Sequence, residues 1–384
     1  MSLYLHIPFC RHRCSYCDFN TYTTLGALQD EYTAALCQEI RQVAGDERRP
    51  AHTVFFGGGT PSLLSIANLR QILWCLNENF DLATNTEITL EANPGTVDSA
   101  YLAALRDLGV NRLSFGAQSA VASELALLER EHDFAAVVEA VAMSRAAGFD
   151  NLNLDFIYGV PGQTLDSWRY SLETALALQM EHLSLYCLTI EPGTPMQRWL
   201  RDGRISLPDP DLAADQYELA CALLGSQAAY THYEISNWAR PGRQCEHNLT
   251  YWRNREYLGL GAGAHGHAAG YRYQVVRQPR VYIRRLQNGV TGQYPWSAAV
   301  AEKHAVDQGE AMSDTVITQL RLLQEGLDLA AFSGRFGQTL HDAYGPTVSQ
   351  LVEWGLLHEK EGWLLLTRRG YFLSNQVFYR FMSA

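Results

Sequence analysis

Short apolar runs alternate with longer amphipathic segments along the first half of the chain. Six runs have the length and residue types of strands, and they are 3–7, 53–56, 87–90, 112–115, 151–156 and 182–188. The segments between them place apolar residues at helical spacing, as at Leu69, Ile72 and Leu76. A strand followed by a helix, repeated in this way, predicts a parallel sheet with helices packed outside it. The pattern therefore indicates an α/β fold built as a partial (β/α)6 barrel.

The pattern changes after about residue 235. Residues 257–273 are rich in glycine and aromatic side chains, which predicts turns, and residues 313–323 have helical spacing. Near the end of the chain, 347–355 predict a helix and 356–367 predict a hairpin that turns at Glu361-Gly362. A helix followed by such a hairpin is typical of a winged-helix module.

We expect three parts in the chain. They are a core barrel at 1–235, a connecting region at 236–300 and a winged-helix-like domain at 301–384. Winged helices can bind DNA, but only Arg368 and Arg369 cluster in this one. A role in packing or in docking a partner protein is therefore favoured for the last part.

The composition is that of an ordinary folded protein. Of the 384 residues, 47% are hydrophobic and 18% are charged, and the formal net charge is -11. The negative charge disfavours contact with phosphate backbones, so nucleic acid is not an expected partner. The N-terminus lacks the pattern of a signal peptide, and no apolar stretch reaches the roughly 18 residues of a membrane span. We therefore expect a cytoplasmic protein.

Three of the eight cysteines lie in one short segment, at Cys10, Cys14 and Cys17. In a reducing compartment such crowding indicates a metal site rather than disulfides. Three thiolates leave one iron of a [4Fe–4S] cluster without a protein ligand, so that this iron can bind a further molecule. The alternative is a zinc site, which needs a fourth ligand, and His6 and His12 are the candidates.

Polar residues cluster where the predicted strands end. They are the cysteines after the first strand, Gly59, Thr60 and Pro61 after the second, Glu91 at the third, Gln118 after the fourth, Asp155 in the fifth, and Tyr186 and Thr189 at the sixth. Thr60 and Pro61 have the residue types of an N-cap and a first helical position. The carboxyl ends of parallel strands meet at one rim, and polar groups are costly inside a core. This rim is the expected functional site.

The C-x3-C-x2-C spacing after a first strand is similar to that of the radical S-adenosylmethionine (SAM) superfamily. Further segments resemble the oxygen-independent coproporphyrinogen III oxidase family, and these are 4–10, 57–61, 91–94, Gln118, 128–132 and 155–163. The resemblance covers most of the chain. It implies a [4Fe–4S] cluster on Cys10, Cys14 and Cys17, with SAM bound at the open iron.

The resemblance also implies which residues line the SAM site. They are Tyr4, Tyr16, Gly59, Thr60, Pro61, Glu91, Gln118, Arg130 and Asp155. Carboxylates such as Glu91 and Asp155 suit ammonium and ribose hydroxyl groups, and Arg130 suits a carboxylate. The glycine-rich segment would present its backbone to the methionine end of SAM. A tight strand-to-helix turn would explain it if it stood alone, but beside the cysteine loop we expect it to do both. Each polar residue taken alone has a structural alternative as an ion pair or cap.

Two departures from the oxidase pattern favour the heme-binding branch of this family. The oxidases have a fourth cysteine where this chain has Phe19, and they have a long extension before the cluster. Residues 247–252, HNLTYW, also resemble the HNxxYW motif of the heme-binding branch. By that resemblance His247 is the candidate heme ligand, since neutral imidazole is a common axial ligand. A hydrogen-bonded structural histidine is the alternative, and the role of Cys245 stays open.

A further motif, at residues 261–266, does not indicate dinucleotide binding. Residues 261–266 fit the dinucleotide-binding pattern G-x-G-x-x-G, but a strand-like run at 271–276 follows them instead of a helix. We therefore interpret residues 261–266 as backbone turns beside the SAM site.

These observations are compatible with three functions. The favoured one is a protein that binds and transfers heme, in which the SAM-bound cluster is a structural or switching element. The second is a radical oxidase that decarboxylates the propionates of a porphyrinogen, and the third is a zinc scaffold. Oxidase activity is not expected, although reductive cleavage of SAM stays open. The expected partners are heme, heme-acceptor proteins such as respiratory enzymes at the membrane, and an electron donor.

Overall fold

The computed structural model describes residues 1–226, 230–288 and 292–382. In these ranges the main body is a single sheet of twelve strands. They are β1 (Ser2–Ile7), β2 (Arg49–Gly58), β3 (Phe80–Ala92), β4 (Arg112–Gln118), β5 (Leu152–Tyr158), β6 (His182–Cys187), β7 (Thr231–Glu234), β8 (Asn237–Ala239), β9 (Tyr257–Leu260), β10 (His265–Ala268), β11 (Tyr271–Val275) and β12 (Val300–Ala305). The first six confirm the six strands predicted from the sequence.

Strands β1 to β6 lie side by side in chain order, and each pairs in parallel with the next. Strand β9 pairs in parallel with the other side of β1, and β10 to β12 continue antiparallel beyond it. At the opposite edge β8 is antiparallel to β6, and β7 is antiparallel to β8. This parallel run places the carboxyl ends of six strands along one rim, as the predicted α/β fold requires.

Helices connect the parallel strands and pack against the sheet. The helices of this part are α1 (Gln29–Ala44), α2 (Ile66–Asn79), α3 (Ser99–Asp107), α4 (Ala122–Leu127), α5 (Phe134–Ala146), α6 (Leu165–Ala177), α7 (Pro195–Arg201), α8 (Pro210–Ser226), α9 (Glu246–Trp252) and α10 (Pro279–Gln287). Ser65 caps the N-terminus of α2, and its side chain accepts a hydrogen bond from the Asn68 backbone at 3.1 Å. It buries Leu69, Ile72 and Leu76 completely. Burial of each such side chain contributes about 1.5–3 kcal/mol.

The segment predicted as turns at 257–273 contains the two strands β9 and β10, so that part of the prediction was wrong. A Cβ at Gly259 would lie 1.8 Å from the carbonyl oxygen of His265, and a Cβ at Gly266 would lie 2.1 Å from the ring of Tyr273. These glycines therefore allow close packing between strands.

A smaller core lies near the end of the chain. Its elements are α11 (Gln308–Gln319), β13 (Leu327–Asp328), α12 (Leu329–Phe336), α13 (Leu340–Glu353), β14 (Leu357–Lys360), β15 (Trp363–Leu366), α14 (Arg368–Phe372) and α15 (Ser374–Tyr379). Strands β14 and β15 form a hairpin that turns at Glu361 and Gly362, both with positive φ. This confirms the predicted helix and hairpin. In the described ranges, none of the helices is long and apolar enough to cross a bilayer.

Candidate functional site

The loop that carries the three cysteines follows β1 and is fixed to the rim by backbone contacts. The amide of Cys10 donates to the carbonyl of Tyr22 at 3.1 Å, and the amide of Tyr22 donates to the carbonyl of Pro8 at 2.7 Å. Farther along the loop, the hydroxyl of Ser15 donates to the carbonyl of Leu127 at 2.9 Å. The protein itself thus holds the cysteines at the end of the first strand.

Cys10, Cys14 and Cys17 are free thiols that line one cavity of about 140 Å³. Burial raises the pKa of Cys10 to about 11, and a bound metal would reverse this by stabilising the thiolate. Across the described ranges, no three His, Cys, Asp or Glu side chains are placed to hold a single metal ion. The three thiols surround a cavity, and this arrangement fits a cluster whose ligands bind different iron atoms.

Zinc ligation by His6 would require one of its two hydrogen bonds to break. The Nδ1 atom of His6 lies 3.1 Å from the hydroxyl of Tyr4, and its Nε2 atom lies 2.9 Å from the carbonyl oxygen of Asn20. Both ring nitrogens of His6 are therefore engaged. His12 lines the same cavity as the cysteines and lies 3.8 Å from Glu129, so it is the histidine that the zinc alternative would use without breaking these bonds.

Gly59 packs directly against the cysteine loop. Its amide donates to the carbonyl of Ile7 at 2.9 Å, and a Cβ in its place would lie 2.7 Å from the carbonyl oxygen of Phe9. The same Cβ would lie 3.1 Å from the sulfur of Cys10. The close approach that the sequence indicates is therefore an approach of the backbone to the cysteine loop itself.

Thr60 precedes a single 3-10 turn that begins at Pro61, but its side chain does not cap that turn as we expected. The hydroxyl instead donates to the sulfur of Cys10 at 3.5 Å. It also accepts a hydrogen bond from the amide of Asn93 at 3.2 Å. The hydroxyl of Thr60 therefore bonds to the cysteine loop and does not cap the turn.

Arg130 reaches the cysteine loop from the opposite wall of the cavity. Its Nη1 atom donates to the sulfur of Cys14 at 3.3 Å. Its Nη2 atom donates to Oδ1 of Asn93 at 2.5 Å and to the carbonyl of Gly116 at 2.9 Å. The guanidinium thus places a positive charge and a hydrogen-bond donor beside the sulfur of Cys14. The linking role of Asn93 was missed in the sequence, although its position two residues after Glu91 at a strand end is a usable signal.

Two half-buried carboxyl groups lie on the same rim. Glu91 accepts a hydrogen bond from the amide of Gly58 at 3.2 Å, and burial raises its pKa to about 8. Asp155 accepts from the side chains of Asn153 at 2.7 Å and Ser114 at 3.2 Å, and burial raises its pKa as well. Both groups line the cysteine cavity, where a ligand ammonium or hydroxyl group would find hydrogen-bond acceptors.

Gln118 lies at the end of β4 in an unusual backbone conformation. Its φ angle is 66°, and the pairing of β4 with β5 shifts register between Gly116 and Gln118. A side chain larger than glycine rarely adopts this conformation, and such outliers cluster at functional sites. Gln118 lines the cysteine cavity.

The structure brings most of the predicted SAM-site residues together. The residues of that set that line the cysteine cavity are Tyr16, Gly59, Thr60, Glu91, Gln118, Arg130 and Asp155. Tyr4 lines a neighbouring cavity of about 340 Å³ and stacks on Phe55 with 6.2 Å between ring centroids. Pro61 is buried in its 3-10 turn.

A second cavity, of about 390 Å³, adjoins the first and shares Glu91, Gln118 and Asp155 with it. We call it the barrel cavity. Its other lining residues include Phe19, Phe55, Arg112, Ser114, Asn153, Ile157, Tyr186, Leu188, Thr189 and Asn248. The predicted rim residues Tyr186 and Thr189 are thus part of this wall. Arg112 was not predicted as a site residue, although a charged residue inside the predicted strand 112–115 is a sign of a polar site.

His247 is buried in α9, and both of its ring nitrogens are engaged. Nδ1 lies 2.7 Å from the hydroxyl of Thr53, and Nε2 lies 2.8 Å from the hydroxyl of Tyr251. The ring stacks on Phe55 at 5.0 Å, and burial lowers its pKa to about 3. Iron ligation by His247 therefore stays a prediction that requires one of these hydrogen bonds to break. Cys245, just before this helix, is buried too.

Comparisons with known proteins agree with this architecture. The model of the Radical SAM superfamily matches residues 4–175, and the model of the HemN C-terminal domain matches residues 306–373. The solved structure of coproporphyrinogen III oxidase (HemN) from Escherichia coli, described as a radical SAM enzyme, is 26% identical and superposes with a TM-score of 0.85. The match covers 99% of this chain and 89% of that one. The fold is thus that of a HemN-like radical SAM protein.

Curated relatives narrow the assignment further. The heme chaperone HemW of Bacillus subtilis (strain 168) is 36% identical, with 100% of this chain and 99% of the relative covered. The heme chaperone HemW of Escherichia coli (strain K12) is 34% identical, with 100% and 98% covered. This chain belongs to the HemW family of radical SAM proteins, which confirms the resemblance noted from the sequence.

Proposed function

We propose that the protein binds heme and transfers it to acceptor proteins, and that it carries a SAM-liganded [4Fe–4S] cluster on Cys10, Cys14 and Cys17. One observation carries this proposal, namely the end-to-end similarity to relatives named heme chaperones. Phe19 supports it, because the oxidases of the family have a cysteine there, whereas here an aromatic ring is 62% exposed beside the cavities.

In this proposal Cys10, Cys14 and Cys17 would hold the cluster and leave one iron open for SAM. Such a cluster would supply an electron if SAM were cleaved reductively at its sulfonium. The guanidinium of Arg130 orients the carboxylate of SAM, and Glu91 and Asp155 accept hydrogen bonds from its ammonium and ribose hydroxyl groups. The remaining contacts come from Tyr4, Tyr16, Gly59, Thr60, Pro61 and Gln118. Residues 1–235 act as the core barrel for this site.

Heme binds in the region 236–300, close to the HNxxYW segment, and His247 is the candidate ligand of its iron. This placement is supported by α9, since its residue Asn248 lines the barrel cavity beside the cluster site. Residues 301–384 act as a winged-helix-like docking part. The protein acts in the cytoplasm. The heme acceptors are proteins such as respiratory enzymes at the membrane, and a separate electron donor reduces the cluster.

A heme titration tests this function. Cluster-loaded protein is titrated anaerobically with heme, and the Soret band is followed for wild type, for His247→Ala and for His341→Ala, which removes a solvent-exposed histidine as a control. We expect saturable binding near one heme per chain for wild type and for the control, with weaker binding or a changed Soret band for His247→Ala. Absence of saturable binding by wild type would contradict the proposal.

The second candidate function is oxidative decarboxylation of coproporphyrinogen III. The superposition on the oxidase HemN with a TM-score of 0.85 favours it. The assay is incubation of the cluster-loaded protein with reductant, SAM and coproporphyrinogen III, followed by analysis of the porphyrin products. Formation of a product that has lost propionate carboxyl groups would establish the oxidase, and its absence alongside heme binding supports the chaperone.

A further inference from the structure

Helix α9 presents two neighbouring residues of the HNxxYW segment to different surroundings. His247 packs on Phe55 and bonds to Thr53 and Tyr251, whereas Asn248 is half-buried and lines the barrel cavity. Successive residues of a helix point about 100° apart, so this division follows from the helix itself. Among the residues that the structure describes, none forms a hydrogen bond with the side-chain amide of Asn248. The amide therefore has its donors and its acceptor free for a ligand.

Arg112 lines the same cavity and is almost completely buried, with 2% of its surface exposed. Its Nε atom has no hydrogen-bond partner in the described part of the chain. The carboxyl group of Asp155 faces the same cavity, but its hydrogen bonds come from Asn153 and Ser114. A buried guanidinium that is not fully hydrogen-bonded is costly, and a carboxylate is the ligand that matches its geometry.

Arg112 is separate from the cation assigned to SAM. Arg130 lines the cysteine cavity and bonds to Cys14, but it does not line the barrel cavity. Arg112 lines the barrel cavity and does not line the cysteine cavity. SAM has one carboxylate, which would be used at the open iron beside Arg130. Glu87 and Asp155 lie near Arg112 and raise its pKa, but among the described residues neither forms a hydrogen bond with it. The guanidinium can therefore still bond to the carboxylate of a second ligand.

Apolar side chains, among them Phe55, Ile157 and Leu188, form part of the wall. The acidic residues on the wall are Asp18, Glu91, Asp155 and Glu191. A ligand that fits has an apolar body and a carboxylate. At about 390 Å³ the cavity has room for an arm of a large ligand. The propionate of a tetrapyrrole combines these features.

We propose that Arg112 and Asn248 form a carboxylate-binding end of the barrel cavity that takes a propionate arm of heme, so that Asn248 is the residue of the HNxxYW segment that recognises the propionate. This inference rests on the proposed heme-binding function. It gives the neighbouring His247 a positioning role, because His247 fixes α9 on β2 through Thr53.

The test compares ferric heme with its dimethyl ester, in which both propionates lack the negative charge. Cluster-loaded wild type is titrated anaerobically with each compound, with and without SAM. The same titrations are done for Asn248→Leu, for Asn248→Asp and for Asn77→Leu, a control on an exposed position of α2. The two substitutions of Asn248 remove the amide in different ways, so that a folding defect in one does not decide the result.

We expect wild type and Asn77→Leu to bind heme on the order of tenfold more tightly than the ester. Asn248→Leu should lose most of this preference, and Asn248→Asp should reverse it through repulsion between carboxylates. An unchanged preference in both Asn248 variants would overturn the inference, as would a loss of SAM affinity without a change in the preference for heme. If wild type binds neither compound, the proposed heme function fails and this inference fails with it.

Discussion

The Nη1 atom of Arg130 donates a hydrogen bond to the sulfur of Cys14 over 3.3 Å. The same guanidinium bonds to Asn93 after β3 and to Gly116 in β4. One side chain thus connects the cysteine loop to the ends of two neighbouring strands. This contact places a fixed positive charge beside the site proposed for the cluster and SAM.

Arg130→Lys should weaken SAM binding while the cluster remains. Lysine keeps the charge but loses the planar fork that can bond to a carboxylate and to Asn93 at once. We expect the affinity for SAM to fall on the order of tenfold, with wild-type iron and sulfide content. Anaerobic equilibrium dialysis with labelled SAM measures this. Arg169→Lys, on the exposed face of α6, is the control, and equal SAM affinities in both variants would contradict the assignment.

Gly59→Ala should reduce cluster content. The added Cβ would lie 2.7 Å from the carbonyl oxygen of Phe9 and 3.1 Å from the sulfur of Cys10, so the cysteine loop has to move. We expect less than about half of the wild-type iron and sulfide per chain, because cluster ligation depends on loop position. Gly95→Ala is a matched control on the same rim, since a Cβ there meets nothing within 4 Å. Equal cluster content in the two variants would refute this account of the glycine.

Glu91→Gln should gain stability relative to wild type as the pH rises. The folded-state pKa of Glu91 is raised to about 8 from the usual 4.5, so its protonated form stabilises the fold at low pH and this contribution is lost as the pH rises through 8. Glutamine does not ionise. We expect the difference in unfolding free energy between variant and wild type to increase by about 1 kcal/mol or more between pH 5.5 and 8.5.

Denaturant unfolding of SAM-free protein at the two pH values measures this difference. Glu131→Gln, a substitution of an exposed carboxyl group, serves as the control and should show a nearly constant difference. A constant difference for Glu91→Gln as well would show that Glu91 is ionised in the folded protein across this range.

His247→Ala should destabilise the fold even when no heme is present. The substitution removes the hydrogen bonds to Thr53 and Tyr251 and the stacking on Phe55, and it leaves buried hydroxyl groups without partners. We expect a loss of about 2–4 kcal/mol in the free energy of unfolding. Chemical denaturation of heme-free protein measures it, and His341→Ala should cost less than about 1 kcal/mol. Similar values for both would mean that the ring of His247 is not held as described.

The sequence predicts the barrel strands well because their apolar runs are buried on both faces. It predicts their ends less well. Strand β3 runs from Phe80 to Ala92, although only 87–90 were predicted as a strand. Its polar first part is extended because it pairs with the start of β2. Strand β9 was missed because Gly259 has the residue type of a turn, and only the contact with His265 across the sheet shows why glycine stands there.

The site was predictable as a set of residues but not as a geometry. Spacing identifies the cysteines, and the resemblance to the oxidase family identifies Arg130, because both signals are carried by motifs that are local in sequence. The contacts of His247 depend on Thr53, which is far away in sequence, so no local pattern shows that its ring nitrogens are engaged. For the same reason the sequence does not show that Asn248 and Arg112 share a cavity.

The central claim is that Cys10, Cys14 and Cys17 hold a cubane cluster with one open iron. Iron, acid-labile sulfide and zinc, measured per chain on protein purified and reconstituted without oxygen, test it most directly. We predict about four iron and four sulfide per chain with little zinc, and loss of most of both in Cys14→Ser. About one zinc per chain without sulfide would contradict the account.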